Sequence, residues 1–382
     1  MLDALRKIFG AAAAEPAPQT PPVSATQSMT QQLAAANLLP PKNIWNLIES
    51  GDLKGRQELV AADPSQLKAT RQYAIRKRIN VKMNPVHYAA YAGREEALVL
   101  LHQNGADIDE KTKDGYTALH LAGRSKTGGV AAAYLLEKSN IDIDALSTHG
   151  TTALMEAARS GNETAVRVML EKNPKTDTVT PQSAAAICLA ARNGHFNIVT
   201  RLAEHGSDIN APDGLLRTPL WHAVLERRAD IVDYLMGKGA DTATRDLQGQ
   251  TLLMVASQRA NIKLMTALLD AGHDPTERDS NGNTALHYAT YDDTADHAKQ
   301  AAALLLKHGA WIDATNKAGE PPLAYAKSKG RTMASLVEYL AAAENDPATP
   351  RTPSLNDVFQ EGAKREVKVM KALKLRAGPV HA

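Results

Sequence analysis

The sequence predicts an all-α solenoid, a stack of helix-turn-helix units joined by β-hairpin-like fingers. Two observations carry that expectation. A phrase keeps returning: DGYTALHLA from Asp114, GTTALMEAA from Gly150, LRTPLWHAV from Leu216, GQTLLMVAS from Gly249 and GNTALHYAT from Gly282. Its anchoring apolar residue falls at Val86, Leu119, Leu154, Ile187, Leu220, Leu253 and Leu286, in steps of 33, 35, 33, 33, 33 and 33. A fixed period of this length marks a repeat architecture in which each unit touches only its neighbours.

Three regions follow from composition. Residues 1–43 open with the amphipathic scrap MLDALRKIFG, where Asp3, Arg6 and Lys7 interrupt the apolar positions and make a poor secretory signal. Residues 11–41 are mostly Ala, Pro, Gln, Ser and Thr, the composition of a disordered tether. Residues 44–343 hold about eight or nine units, the first and last degenerate because terminal units cap the core. Residues 344–382 form a Pro-containing linker and a basic amphipathic tail, LNDVFQEGAKREVKVMKALKLR.

Within the stack each element has a local cause. In IWNLIESGDLKGRQELV, Gly51 and Asp52 separate the two helices of the first unit. RQYAIRKRINVK, at 71–82, carries Arg71, Arg76, Lys77, Arg78 and Lys82 and is expected as a solvated insertion; it lacks a nucleic-acid-binding motif. Later units begin with a turn Gly at 115, 150, 249, 282 or 319, where a positive φ costs Gly little. Thr117, Thr152, Thr218, Thr251 and Thr284 are placed to cap the helix that follows. Pro219 and Pro322 suit a first helical position. Recurrent Ala narrows this first helix, and Gly93, Gly161 and Gly194 end it. The second helix shows apolar residues at helical spacing, as in Ile198, Val199 and Leu202. SAAAICLAA lacks both the turn Gly and the Thr, so the finger before Ile187 is expected to depart from the others. The 37-residue step from Leu286 to Leu323 places extra length in 292–301.

The period and the wording resemble the ankyrin repeat family over roughly residues 44–343. That resemblance implies partner recognition through the finger residues and the ends of the first helices, lining an inner hollow. The helix-end slot holds Tyr91, Arg124, Arg159, Arg192, Leu225, Gln258 and Tyr291, with Arg259 beside Gln258 and Arg217 in a finger slot on the same side. Arg124, Arg159 and Arg192 are expected to face solvent as a ladder that holds acidic groups through paired donors. Leu146, Val179, Leu215, Leu216 and Leu247 sit at finger tips where polar residues are usual, and Leu215 and Leu216 are the contact candidates among them. The resemblance also implies that His87, His120 and His287 bond the backbone of a neighbouring loop. Cys188 occupies the same slot. Units about 8–10 Å apart cannot bring these side chains to one metal, so no metal site and no cofactor are expected.

Composition narrows the function classes. The 382 residues carry a net charge of +2 and are 23% charged, which argues against a general polyanion binder. The one cysteine excludes an internal disulfide and fits a reducing, cytoplasmic setting. No apolar run approaches the ~18 residues of a membrane span, although the termini could touch a membrane surface. GxSxG, HExxH, P-loop and CxxC patterns are missing. The expectation is a non-catalytic, monomeric scaffold or adaptor for a protein or peptide, an acidic one by the arginines, with nucleic acid and small-molecule substrates disfavoured. The alternative is a bacterial effector delivered into host cells, its signal in the basic tail and its host partner held by the repeats.

Overall fold

The computed structural model describes residues 43–76, 79–181, 183–291, 294–328 and 334–353. The N-terminal scrap and tether and the basic tail lie outside them. The first unit pairs α1 (Ile44–Ser50) with α2 (Leu53–Ala62). An antiparallel hairpin, β1 (Arg71–Arg76) with β2 (Ile79–Met83), leads to α3 (Pro85–Tyr91) and α4 (Glu95–Gln103). Further pairs are α5 (Ala118–Arg124) with α6 (Gly129–Lys138), α7 (Ala153–Ser160) with α8 (Glu163–Leu170), and α9 (Ala186–Asn193) with α10 (Phe196–Glu204). The stack continues through α11 (Pro219–Leu225) with α12 (Ala229–Gly237), and α13 (Leu252–Gln258) with α14 (Ile262–Asp270). It closes with α15 (Ala285–Ala289) and α16 (Ala295–Lys307), then α17 (Pro322–Ser328) and α18 (Ala334–Asn345).

First helices pack on first helices of adjacent units, and second helices on second helices. The anchors Leu119, Leu154, Ile187, Leu220, Leu253 and Leu286 are all buried, with Ala89, Ala90, Ala157, Ala158, Ala190 and Ala191 filling the close approaches. Fingers are tied edge to edge. Thr148 N–H donates to Asp114 O at 2.9 Å, Leu247 N–H to Leu215 O at 3.0 Å, Ser280 N–H to Gln248 O at 2.8 Å and Lys317 N–H to Asn281 O at 2.8 Å.

The slot histidines clip one unit to the next. In His120, Nδ1 accepts from Thr117 N–H at 3.3 Å and Nε2 donates to Thr151 O, one unit on, at 2.9 Å. His287 repeats this with Thr284 N–H at 3.1 Å and Glu320 O at 3.0 Å, and His87 reaches Glu110 O at 2.9 Å. Burial holds all three imidazoles below their ordinary pKa, so they are neutral links.

Two local expectations meet differences, at 71–82 and in the linker after residue 343. The segment 71–82 is not simply a solvated insertion: Val81 and Met83 are buried, and Tyr73 packs on Trp45 and Tyr88 with ring centroids 5.8 and 4.6 Å apart. Alternation puts Val81 and Met83 inward and Lys82 outside, while Arg71, on the same face as Tyr73, stays exposed at the strand end with its guanidinium 5.5 Å from the Tyr73 ring centroid. The extra length near 292–301 enters α16, the longest helix described, at 13 residues. Part of the expected linker lies on the stack. Ile312 N–H donates to Pro350 O at 3.0 Å, and Asp313 Oδ1 accepts from the Thr352 N–H and hydroxyl at 2.7 and 2.9 Å.

The finger before α9 is indeed different. Other fingers close from residue i to i+4, as in Ser147 N–H to Thr151 O (3.0 Å) or Asp213 N–H to Arg217 O (2.9 Å). Here Thr180 and Ser183 exchange both bonds, at 2.9 and 3.1 Å, so the loop is one residue tighter. The N-cap of α9 is Ala185, which gives no side-chain cap.

Candidate functional site

The inner hollow is built from the ends of the first helices and the fingers in front of them. Its charged members are not equivalent. Arg124 Nη1 lies 2.7 Å from Glu156 Oε2, and Arg159 Nη1 lies 3.4 Å from Glu156 Oε1. The Glu156 side chain is wholly buried, and the two arginine side chains are only 14% and 21% exposed. Arg124 and Arg159, expected to face solvent, are therefore held down by one carboxylate between them. Arg159 also donates through Nη2 to Ser183 Oγ at 3.2 Å, on the tightened finger. Arg192 is the exposed rung, 59% accessible, with a long 3.9 Å contact to Glu226. Arg217 leans over the buried carboxylate of Asp246, Nη2 to Oδ2 at 3.3 Å.

The remaining slot residues are half-buried. Tyr91 and Leu225 pack against the core. Tyr291 stacks between Tyr288 and Tyr325, centroids 5.5 and 5.0 Å away. Burial raises its phenol pKa, so it stays a neutral hydroxyl. Gln258 and Arg259 share the intermediate exposure of this face.

At the finger tips, Leu146, Val179, Leu215, Leu216 and Leu247 are all exposed, and Val130 on α6 is the other large exposed apolar side chain among the described residues. Leu215 and Leu247 stand on adjacent fingers joined by the backbone bond noted above. Leu216 has φ +61°, in the register position where Gly115, Gly150, Gly249, Gly282 and Gly319 have φ between +66° and +80°. A branched side chain in that region is strained.

The tightened finger borders a space in front of α9. A cavity of 530 Å³ opens there, lined among others by Arg159, Ser183, Cys188, Arg192, Leu215 and His222. Within it, His222 Nε2 donates to Asp213 Oδ2 at 2.9 Å. Asp213 Oδ1 accepts from the N–H groups of Leu215 and Arg217 at 2.8 and 2.9 Å. Burial alone would raise this carboxyl, but the His222 and backbone bonds outweigh it and hold its pKa low. The thiol of Cys188 donates to Ala211 O at 3.1 Å, and burial pushes its pKa far up, so no thiolate forms.

Sequence reasoning missed Glu156, His222 and Asp213. Glu156 and His222 share one register position, two residues after the anchoring Leu, which Leu121, Leu189 and Val255 fill elsewhere. A carboxylate where neighbouring units place apolar residues was the available signal. Among the described residues no group of three or more His, Cys, Asp and Glu side chains could hold a metal, and no helix is long and apolar enough to cross a membrane.

A family model described as ankyrin repeats (3 copies) matches residues 59–146, 86–180, 175–246 and 253–351. The E3 ubiquitin-protein ligase XBAT33 of Arabidopsis thaliana is 38% identical over 88 residues, 23% of this chain and 17% of that protein. The chain thus spans under a fifth of the length of that curated relative. The crystal structure of the human ASB11 ankyrin repeat domain shares 25% identity at a TM-score of 0.46, covering 70% of this chain and 100% of that one. With the family model lying over most of the sequence, and with Thr, His and Gly making in successive units the caps, clips and turns that their spacing implies, the chain belongs to the ankyrin repeat family.

Proposed function

We propose that this protein is a non-catalytic binding module that holds a protein or peptide partner against its finger tips and inner hollow. The observation that carries the reading is the placement of exposed apolar side chains. Five of the six large ones described are on fingers, on one edge of the stack, rather than scattered over the outer helices. Ankyrin repeats mediate protein–protein interaction, which gives the same direction. The neutral, carbonyl-bonded Cys188 thiol offers no nucleophile, and Glu156 and Asp213 are engaged in structural bonds.

The contact set is Arg192, Leu215, Leu216 and Leu247, flanked by Tyr91, Leu225, Gln258, Arg259 and Tyr291. Arg124, Arg159 and Arg217 support that face from below. The lone reduced cysteine favours a cytoplasmic setting. The effector alternative rests on a tail outside the described residues.

Site-specific photo-crosslinking tests the reading. A benzoylphenylalanine at Leu247 should crosslink a partner in lysate of the source cell, while the same probe at Arg167, exposed on α8, should not. Equal labelling at both positions, or none at either, would overturn the proposal.

A further inference from the structure

The cavity before α9 lies beside the tighter finger, and its lining combines three features. Arg192 offers an exposed side chain whose ion-pair contact with Glu226, at 3.9 Å, is weak. Arg159 reaches the same cavity from the opposite unit, already positioned by Glu156 and Ser183. His222 is only 4% exposed, spends Nε2–H on Asp213, and leaves Nδ1 buried without a hydrogen-bond partner. A buried acceptor of this kind is costly unless something donates to it.

These needs define an occupant. It must bring an anion to the two guanidinium groups, and an N–H for the imidazole lone pair once a small shift of His222 uncovers it. An acidic residue in an extended peptide supplies both, a side-chain carboxylate and a backbone N–H a few ångströms away. The volume of 530 Å³ falls in the range of roughly 300–1,000 Å³ typical of ligand pockets. Leu215 lines the cavity and continues into the exposed Leu216 and Leu247, so an apolar residue beside the acidic one would be covered there.

We propose that the cavity between α7, α9 and α11 is a specificity pocket for an Asp or Glu side chain of a partner peptide, with an adjacent apolar side chain resting on Leu215, Leu216 and Leu247. The inference rests on the protein-binding reading above and names the chemistry that reading leaves open. Arg192 supplies the selectable contact. Arg159 and His222 set depth and orientation. Asp213 stays ionised, but both its oxygens are taken up by His222 and two backbone N–H groups, so the two guanidinium groups must outweigh its charge for the acid to bind.

The test is selection from a random dodecapeptide display library on the full-length chain, followed by fluorescence anisotropy with the best synthetic peptide. Enriched peptides should share an acidic residue next to an apolar one. Changing that residue to Gln or Asn should weaken binding about tenfold, as losing a charge-assisted hydrogen bond does. Arg192→Ala should weaken it to the same degree with an unchanged melt, and Arg167→Ala should leave it alone. His222→Phe should weaken binding as well, with circular dichroism checking that the stack survives. Succinate serves as the small-acid competitor and should displace the peptide only at far higher concentration; displacement at matching concentration makes this a small-anion site and overturns the peptide assignment. Enriched peptides that lack acidic residues, or that bind Arg192→Ala normally while Leu247 still crosslinks, remove the pocket and leave the module. Failure of both selection and crosslinking removes both.

Discussion

Arg124 reaches out of its own unit to Glu156 of the next, Nη1 to Oε2 at 2.7 Å, and the carboxylate it meets has no solvent exposure. The pair welds two repeats on the inner face, where a surface ladder would have left them independent. Removing one partner of a buried pair strands the other, whereas removing both can be nearly neutral. Arg124→Ala leaves Glu156 its contact with Arg159, so it should lower unfolding free energy in urea melts by about 1–3 kcal/mol rather than by the full cost of a stranded charge. Arg124→Met combined with Glu156→Leu, the residue that α5 and α9 use at the same register, should lose less than the two single changes summed. Strict additivity would show that the two side chains do not share an energy.

Leu220 is fully buried at the interface of α11 with its neighbours. Leu220→Ala removes contacts on both sides of one unit and should destabilise by roughly 2–5 kcal/mol. An unchanged thermal melt would place Leu220 outside the interface.

The slot histidines give the stack an acid sensitivity. Their folded pKa values are depressed by burial, so the unfolded chain binds more protons once pH drops below its ordinary value of 6.5. The stability they provide is complete above pH 6.5 and is lost as pH falls toward the folded values. Melting temperature should therefore decline between pH 7 and pH 5. His120→Met, which borrows the residue of the next unit, should lower stability at pH 7 but flatten that decline. An identical slope in the variant would exclude His120 as a contributor.

How much of this was legible before the structure depended on the length scale of the cause. Turn glycines, capping threonines and the slot histidines act within a few residues or one period, and their spacing displayed them directly. The tighter finger before α9 was signalled by a missing Gly and Thr, but not the cavity beside it. That cavity depends on how Ser183 and Leu215 from two fingers face each other. The arginine slot was read too simply as a surface. Whether Arg159 faces solvent is decided by Glu156 on its own helix, and whether Arg124 does is decided by the same carboxylate one unit on. The segment 71–82 misled because its Arg and Lys residues masked an alternating strand whose Val81 and Met83 are core.

Leu216 sets stability against recognition. Its φ of +61° is the turn geometry that five other units give to Gly, and its side chain is 47% exposed, so little burial offsets the strain. A left-handed conformation costs a non-Gly residue roughly 1–2 kcal/mol. Leu216→Gly should therefore stabilise the fold, by about 1 kcal/mol once the greater freedom of Gly in the unfolded chain is counted. The same change deletes one of three leucines from the patch above the cavity. Peptides selected on the native chain should bind Leu216→Gly more weakly while it melts at higher temperature. Leu216→Asn is the control: Asn tolerates this backbone region, restores part of the stability and still lacks the apolar contact. If Leu216→Gly melts lower than the native chain, the turn holds Leu without strain and the trade is absent. If it melts higher and binds equally well, Leu216 contributes nothing to recognition, and the contact passes to Leu215 and Leu247.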